Sequence, residues 1–259
     1  MYLKKYKPVT NGVRHKLSQS SYFLNEKKLN FFKVGFKKHS GRGVTGQITV
    51  RHRLNYTSKS YLVLDFKRTY LKVGTCFSLT KDPNRNAIVA LIKFSTGSYS
   101  YVLAPHGFIN GAIYQTITKP ELFSCDYKVG FNVFLLNLQA QSIFFNLEII
   151  PGNGSKYSRT AGTYCTLINT DVQKNTSKIK LPSSTIIIVS STCLVTLGRC
   201  SNIYKNTCVI GNAGFNIRKG FKSSVRGVAM NPVDHPHGGR TKTNSPELTP
   251  WGKIAKFNK

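Results

Sequence analysis

Between residues 61 and 197 the apolar side chains come in short runs, each stopped by turn chemistry, and no long segment carries a convincing 3.6-residue period. Tyr61–Arg68, Gly74–Leu79, Ala87–Phe94 and Tyr99–Leu103 are rich in Val, Ile, Leu, Phe and Tyr, which pack well on a pleated, half-buried surface. Lys81-Asp-Pro-Asn84 and Ser95-Thr-Gly97 separate these runs with residues suited to tight turns. A second block runs through Val133–Ile150, the turn Pro151-Gly-Asn-Gly154, then Thr163–Ile168, Lys178–Leu181, Thr185–Val189 and Cys193–Leu197. Strands this short at this spacing predict small barrels. The fold class is therefore all-β, with two barrels in tandem over 61–125 and 126–212.

Charge decides what surrounds them. The 259 residues carry 38 Lys+Arg against 9 Asp+Glu, a formal +29. Self-repulsion on that scale opposes compaction, so a polyanionic partner is expected and an ordinary small-molecule enzyme is not. Residues 1–60 hold 14 basic and 1 acidic residue, residues 213–259 hold 9 and 2, and the longer middle holds 15 and 6. A folded centre with two basic extensions, 1–60 and 213–259, fits an RNA scaffold better than a flat membrane surface, which favours one basic face. At 40% hydrophobic residues the centre can bury a core, which excludes wholesale disorder.

No run approaches the roughly 20 apolar residues of a membrane span. Phe134–Ile150 and Thr185–Leu197 come nearest but are broken by polar residues and read as core strands. The start, Met1 to Pro8, has neither an apolar core nor a long Arg/Ser-rich leader, so either the protein works where it is made, which the initial Met favours, or a leader has been removed. Phe, Tyr, Ile, Asn and Lys are abundant and Lys outnumbers Arg. These residues have AT-rich codons, and an AT-biased organelle genome would produce that drift.

The six cysteines, Cys76, Cys125, Cys165, Cys193, Cys200 and Cys208, form no CxxC pair. Cys76, Cys165 and Cys193 lie in strand-like runs and read as small buried hydrophobes. A disulfide framework is not expected in a chain this long without a secretory signal. A zinc site on Cys193, Cys200 and Cys208 is the less favoured alternative.

At Gly227-Val-Ala-Met-Asn-Pro-Val-Asp-His-Pro-His-Gly-Gly239 the chain closely resembles the signature of the universal large-subunit ribosomal protein L2 (uL2) family. The resemblance continues in order along nearly the whole chain. Lys7-Pro8 with Arg14-His15 is similar to the family's N-terminus, and Gly41-Arg42, Gly46, Ile48-Thr49 and Arg51-His52 to its basic arm. Asp65-Phe-Lys-Arg68, Asp82-Pro-Asn-Arg85 and Leu103-Ala-Pro105 resemble its first barrel. Pro151-Gly152, Arg159-Thr-Ala-Gly-Thr-Tyr164, Thr196-Leu-Gly198 and Gly211-Asn-Ala-Gly214 resemble its second, and Thr249-Pro-Trp-Gly252 its tail.

That resemblance implies an OB-like barrel followed by an SH3-like barrel, with extended basic N- and C-terminal arms buried in large-subunit rRNA near the peptidyl-transferase region. It implies neighbouring ribosomal proteins and the small subunit across the intersubunit interface as further partners. It implies no cofactor beyond structural magnesium ions on the rRNA. The chain departs from the family pattern in four places. The Gly-Gly-Gly-His-Lys run after Arg53 is absent, the run after the signature shortens to Gly238-Gly239-Arg240, the segment near 131–150 reads as an insertion, and little follows Trp251. Together these point to a diverged organelle form, mitochondrial and organelle-encoded, with a plastid as the alternative.

Lys and Arg on extended arms bind phosphates by counterion release, and the planar Arg fork can also stack on a base. The RNA-binding set expected here begins with Arg14, His15, Arg42, Arg51, His52 and Arg53 in the N-terminal arm. Lys67, Arg68 and Arg85 lie at strand ends and a turn, where each reads equally as RNA contact or solvated surface. Arg159 follows a Gly-containing turn and reads as a phosphate contact, with Tyr164 in the barrel core. Arg218, Lys219 and Arg226 precede the signature and anchor it electrostatically.

Within the signature and just after it, Asn231, Asp234, His235, His237 and Arg240 complete the set. A His beside a carboxylate suits a general base. No nucleophile stands nearby, however, and Pro236 with Gly238-Gly239 describe a conformation more than a triad. His235 and His237 are expected to donate hydrogen bonds to rRNA, with Asp234 orienting His235 or accepting from a base edge. A structural, non-enzymatic role is expected. The alternatives are participation of His235 in peptidyl transfer and a free nucleic-acid chaperone built on the OB-like barrel.

Overall fold

The computed structural model describes residues 3–20, 24, 29–35, 39–55, 60–68, 73–117, 127–239 and 246–255. Two compact units divide the chain. Met1–Phe36 goes with Ser58–Gly211, and Lys37–Thr57 goes with Asn212–Lys259.

In the first unit, β1 (Leu3–Lys5) pairs antiparallel with β2 (Leu17–Gln19) around the short α1 (Asn11–Arg14). A second ribbon joins β3 (Lys33–Gly35) to β4 (Ser60–Leu62). Then come β5 (Gly74–Lys81), β6 (Ile88–Phe94), β7 (Tyr99–Leu103) and β8 (Ile113–Tyr114), in the order β7-β6-β5-β8. The alternation of β6 is buried on both sides. Val89 and Leu91 pack with Leu62, Tyr101 and Leu103, whereas Ile88, Ala90 and Ile92 pack with Leu79, Val102 and Tyr114. A bulge between Cys76 and Ser78 leaves Phe77 unpaired and half exposed.

The second barrel uses β9 (Asn132–Phe134), β10 (Ile143–Phe145), the short β11 (Leu147–Glu148) and β12 (Ser155–Tyr157), then β13 (Cys165–Asp171), β14 (Thr176–Lys180), β15 (Ile186–Ser190) and β16 (Leu194–Leu197). Six of these form one sheet in the order β15-β14-β13-β10-β16-β9. Its core gathers Val133, Leu135, Leu138, Phe144, Leu147, Leu167, Ile179 and Val195. The segment near 131–150 supplies strands and core residues of this barrel. The all-β class with its OB-like and SH3-like barrels holds.

Three expectations change. Tyr61–Arg68 is a strand only to Leu62, because the chain turns at Asp65, whose carboxylate accepts the Arg68 N–H at 2.8 Å, and Arg68 takes φ 55°. The stretch 1–60 does not act as one arm, since residues 37–57 belong with the C-terminal segment. That segment is not wholly extended: α2 (Ala213–Lys219) is a helix. The Asn212 side chain accepts the Phe215 N–H, and Gly220 ends the helix in the left-handed region at φ 92°. Cys76, Cys165, Cys193 and Cys200 are buried, and burial pushes their thiols up to about 12, 11, 11 and 12. Cys125 lies outside the described residues.

Candidate RNA interface

The basic stretch 39–55 is a closed turn. Gly41 receives the Thr49 and Val50 N–H groups on its carbonyl, Gly43 N–H donates to the Gln47 carbonyl, and Arg42 pairs with Ile48. Arg42 Nη1 donates to the Gly46 carbonyl at 2.9 Å, which fixes an exposed guanidinium. The turn then runs beside the C-terminal segment of its own unit. Leu54 N–H donates to the Gly220 carbonyl, Lys222 N–H donates to the His52 carbonyl, and the Arg53 guanidinium lies 4.6 Å over the Phe221 ring. Arg53, Arg218 and Arg226 are exposed, while Arg51, His52 and Lys219 are half-buried. Two segments far apart in sequence thus present their cations from one unit.

The signature folds into a loop closed on itself. Asp234 and His235 N–H groups donate to the Asn231 carbonyl, Gly238 N–H to His235, and Gly239 N–H to Met230. A Cβ on Gly238 would stand 2.2 Å from the Asn231 carbonyl oxygen, so no larger residue fits without opening the loop. His235 and His237 are buried, with ring centroids 4.8 Å apart. His235 Nδ1 accepts the His237 N–H at 3.0 Å, and His237 Nε2 accepts the Leu248 N–H at 2.8 Å. The second bond ties the signature to the Thr249-Pro-Trp-Gly252 turn, two motifs the sequence shows only as separate.

Both histidines therefore accept from the backbone through one nitrogen, and each can carry its proton on the other. Burial holds His235 below the usual imidazole range, and the neighbouring His237 and Arg51 act in the same direction. The expectation that Asp234 orients His235 is corrected, because the His237 N–H fills that role while Asp234 is exposed with Asn231, Pro232 and Val233. Arg240 lies outside the described residues.

On the barrels the basic residues separate by burial. Arg14, His15, Lys67 and Arg159 are exposed, and Arg159 stacks over Phe66 at 4.7 Å. Arg85 is half-buried, bonded through Nε to Asp82 at 2.6 Å and lying 5.2 Å over Tyr61. Arg68 is buried, 2.7 Å from Glu148, and donates to the Asn146 and Leu194 carbonyls at 3.1 and 3.0 Å. It is an internal tie and the RNA-contact expectation at Arg68 is corrected. Tyr164 is likewise not in the core, being 37% exposed with Arg199 stacked 4.7 Å over its ring. Sequence reasoning missed Arg199, and also Lys4 and Lys16, which flank the Tyr6 ring. Lone basic residues in weakly periodic stretches gave no signal for either cluster. Among the described residues no group of three or more His, Cys, Asp or Glu is placed to hold a metal ion.

Residues 21–116 match the family model described as Ribosomal Proteins L2, RNA binding N-terminal domain, and residues 128–252 match Ribosomal Proteins L2, C-terminal domain. The large ribosomal subunit protein uL2 of Paracoccus denitrificans (strain Pd 1222) is 37% identical over 261 residues, covering 99% of this chain and 91% of that one. The uL2 of Brucella melitensis biotype 1 is 38% identical over 264 residues (100% and 93%), and that of Rhodospirillum centenum 37% over 265 (100% and 94%). With identity above a third along its whole length, two exposed basic surfaces and the closed histidine loop, the chain belongs to the uL2 family of large ribosomal subunit proteins.

Proposed function

We propose that the chain binds and organises rRNA near the peptidyl-transferase region of a large ribosomal subunit and supports association with the small subunit. The observation that carries this reading is the signature loop. Its histidines are locked inward by backbone N–H groups, while Asn231, Pro232, Val233 and Asp234 face outward on a rigid rim. A preformed rim lowers the ordering cost of binding and recognises shape, which is how proteins read folded RNA. Exposed Arg42, Arg53, Arg218 and Arg226 in the same unit supply phosphate neutralisation. Neighbouring ribosomal proteins are the further partners, and structural magnesium ions belong to the rRNA.

The ribosome we propose is mitochondrial, with the protein in the matrix and encoded in the organelle; a plastid is the alternative. The enrichment in residues of AT-rich codons supports this placement. To test RNA binding, the purified chain is titrated with large-subunit rRNA fragments at several salt concentrations. The affinity is expected to fall steeply, with a log–log slope of several units. A flat dependence contradicts the proposal.

A further inference from the structure

The first unit carries a groove of about 1120 Å³ lined by aromatic rings, the cations Lys67 and Arg159, and the single acidic residue Asp65. The turn Asn30–Phe32 forms one wall. Phe32 anchors that wall by an edge contact with the buried Tyr101 at 5.5 Å, and the Tyr101 hydroxyl accepts the Leu29 N–H at 3.1 Å. Phe31, its neighbour, is 90% exposed. Its ring meets Phe32 edge-on at 5.3 Å and leaves most of its surface in water on an anchored turn. Opposite are Phe66 and Tyr99, with the Arg159 guanidinium over the Phe66 ring and exposed Lys67 beside it. Asn153 adds a polar side chain to the lining.

We propose that this groove receives an unpaired RNA base, stacked on Phe31, with Arg159 and Lys67 on its flanking phosphates. The proposal rests on the reading of the chain as an rRNA-binding protein and adds the class of RNA element bound at this place. Aromatic faces with adjacent cations are what unstacked bases need, and every base has a face to stack. A-form duplex keeps its bases stacked internally and cannot deliver one into a groove. Positive charge at the rim complements a nucleotide's phosphate and gives no reason for an apolar peptide to choose this site.

The test uses the full-length chain and two fluorescent RNAs, an unstructured single strand of about ten nucleotides and the same strand annealed along its whole length to its complement. Phe31→Ala should weaken single-strand binding about ten- to a hundredfold and leave duplex binding within about twofold. Phe31→Trp should restore the single-strand affinity, and Arg159→Ala should weaken it and flatten its salt dependence. Equal single-strand affinity for wild type and Phe31→Ala would overturn the groove proposal, as would equal losses on both RNAs. Failure of the wild type to bind either RNA would instead overturn the rRNA-binding reading itself.

Discussion

The Arg68 guanidinium and the Glu148 carboxylate, 2.7 Å apart and essentially out of solvent, join the two barrels through a buried charge pair. Glu148 Oε2 also accepts the Leu194 N–H at 3.2 Å and the Gly152 N–H at 3.3 Å, so the carboxylate ties β16 to the turn that follows its own strand. Removing only the cation leaves that carboxylate buried without its counter-charge. Arg68→Met should therefore cost about 3–5 kcal/mol in urea unfolding, and adding Glu148→Leu should recover most of the loss. A change below about 1 kcal/mol for the single variant would contradict this role. Lys67, adjacent and exposed, should behave in the opposite way: Lys67→Ala leaves stability unchanged and lowers the salt slope of RNA binding by about 0.7–0.9. Nothing in the Lys67-Arg68 dipeptide distinguishes the two residues. The difference lies in Glu148, which local spacing cannot bring beside Arg68.

At the scale of elements, strands were legible wherever period-2 alternation met turn residues. Tyr99–Leu103 is found as read and β5, β6, β14, β15 and β16 move by a residue or two, whereas Tyr61–Arg68 stops as a strand at Leu62 and Val133–Ile150 divides into β9, β10 and β11. β6 explains why: its apolar side chains face two cores, so Leu91→Ala should cost about 2–5 kcal/mol by thermal or urea unfolding. The helix α2 was missed although Asn212 and Gly220 are ordinary end signals, because seven residues with Gly214, Asn216, Arg218 and Lys219 show no apolar stripe. The signature loop was legible as a conformation, but not its lock. Gly227 shows the lock's tightness, since a Cβ there would lie 2.6 Å from the His235 ring. Gly227→Ala should speed amide exchange at Gly238 and Gly239 while leaving the barrel amides unchanged.

The same loop should respond to acid. His235 titrates below its ordinary value of 6.5 in the folded loop, so the opened loop takes up its proton first. The closed form is thus fully favoured above pH 6.5 and loses ground as pH falls through the folded value. Exchange at Gly238, measured at neutral pH and near pH 5 after correction for intrinsic rates, should show faster opening in acid. Unchanged opening would mean that His235 does not lock the loop. In assembled ribosomes, His235→Gln should impair subunit assembly. Intact assembly with collapsed peptidyl transfer would support chemistry at His235 instead.

Across the whole molecule the decisive quantity is charge. A formal +29 on small hydrophobic cores points to a polyanionic partner, and that much was readable before any fold. How the basic residues divide between surface and interior was not readable, because it depends on pairings such as Arg68 with Glu148 and Arg199 with Tyr164. Nor did the sequence reveal that residues 37–57 fold with the C-terminal segment, since main-chain bonds such as Leu54 to Gly220 leave no local pattern. Membership of the uL2 family makes the chain a component of a large ribosomal subunit. The most direct measurement of rRNA binding is gradient sedimentation of a lysate that contains this chain, a salt wash of the large-subunit peak, and detection of the chain in the washed particles. The chain should remain in the peak after the wash. Release at modest salt, or a position among the light fractions from the start, would contradict that account and favour a free nucleic-acid chaperone.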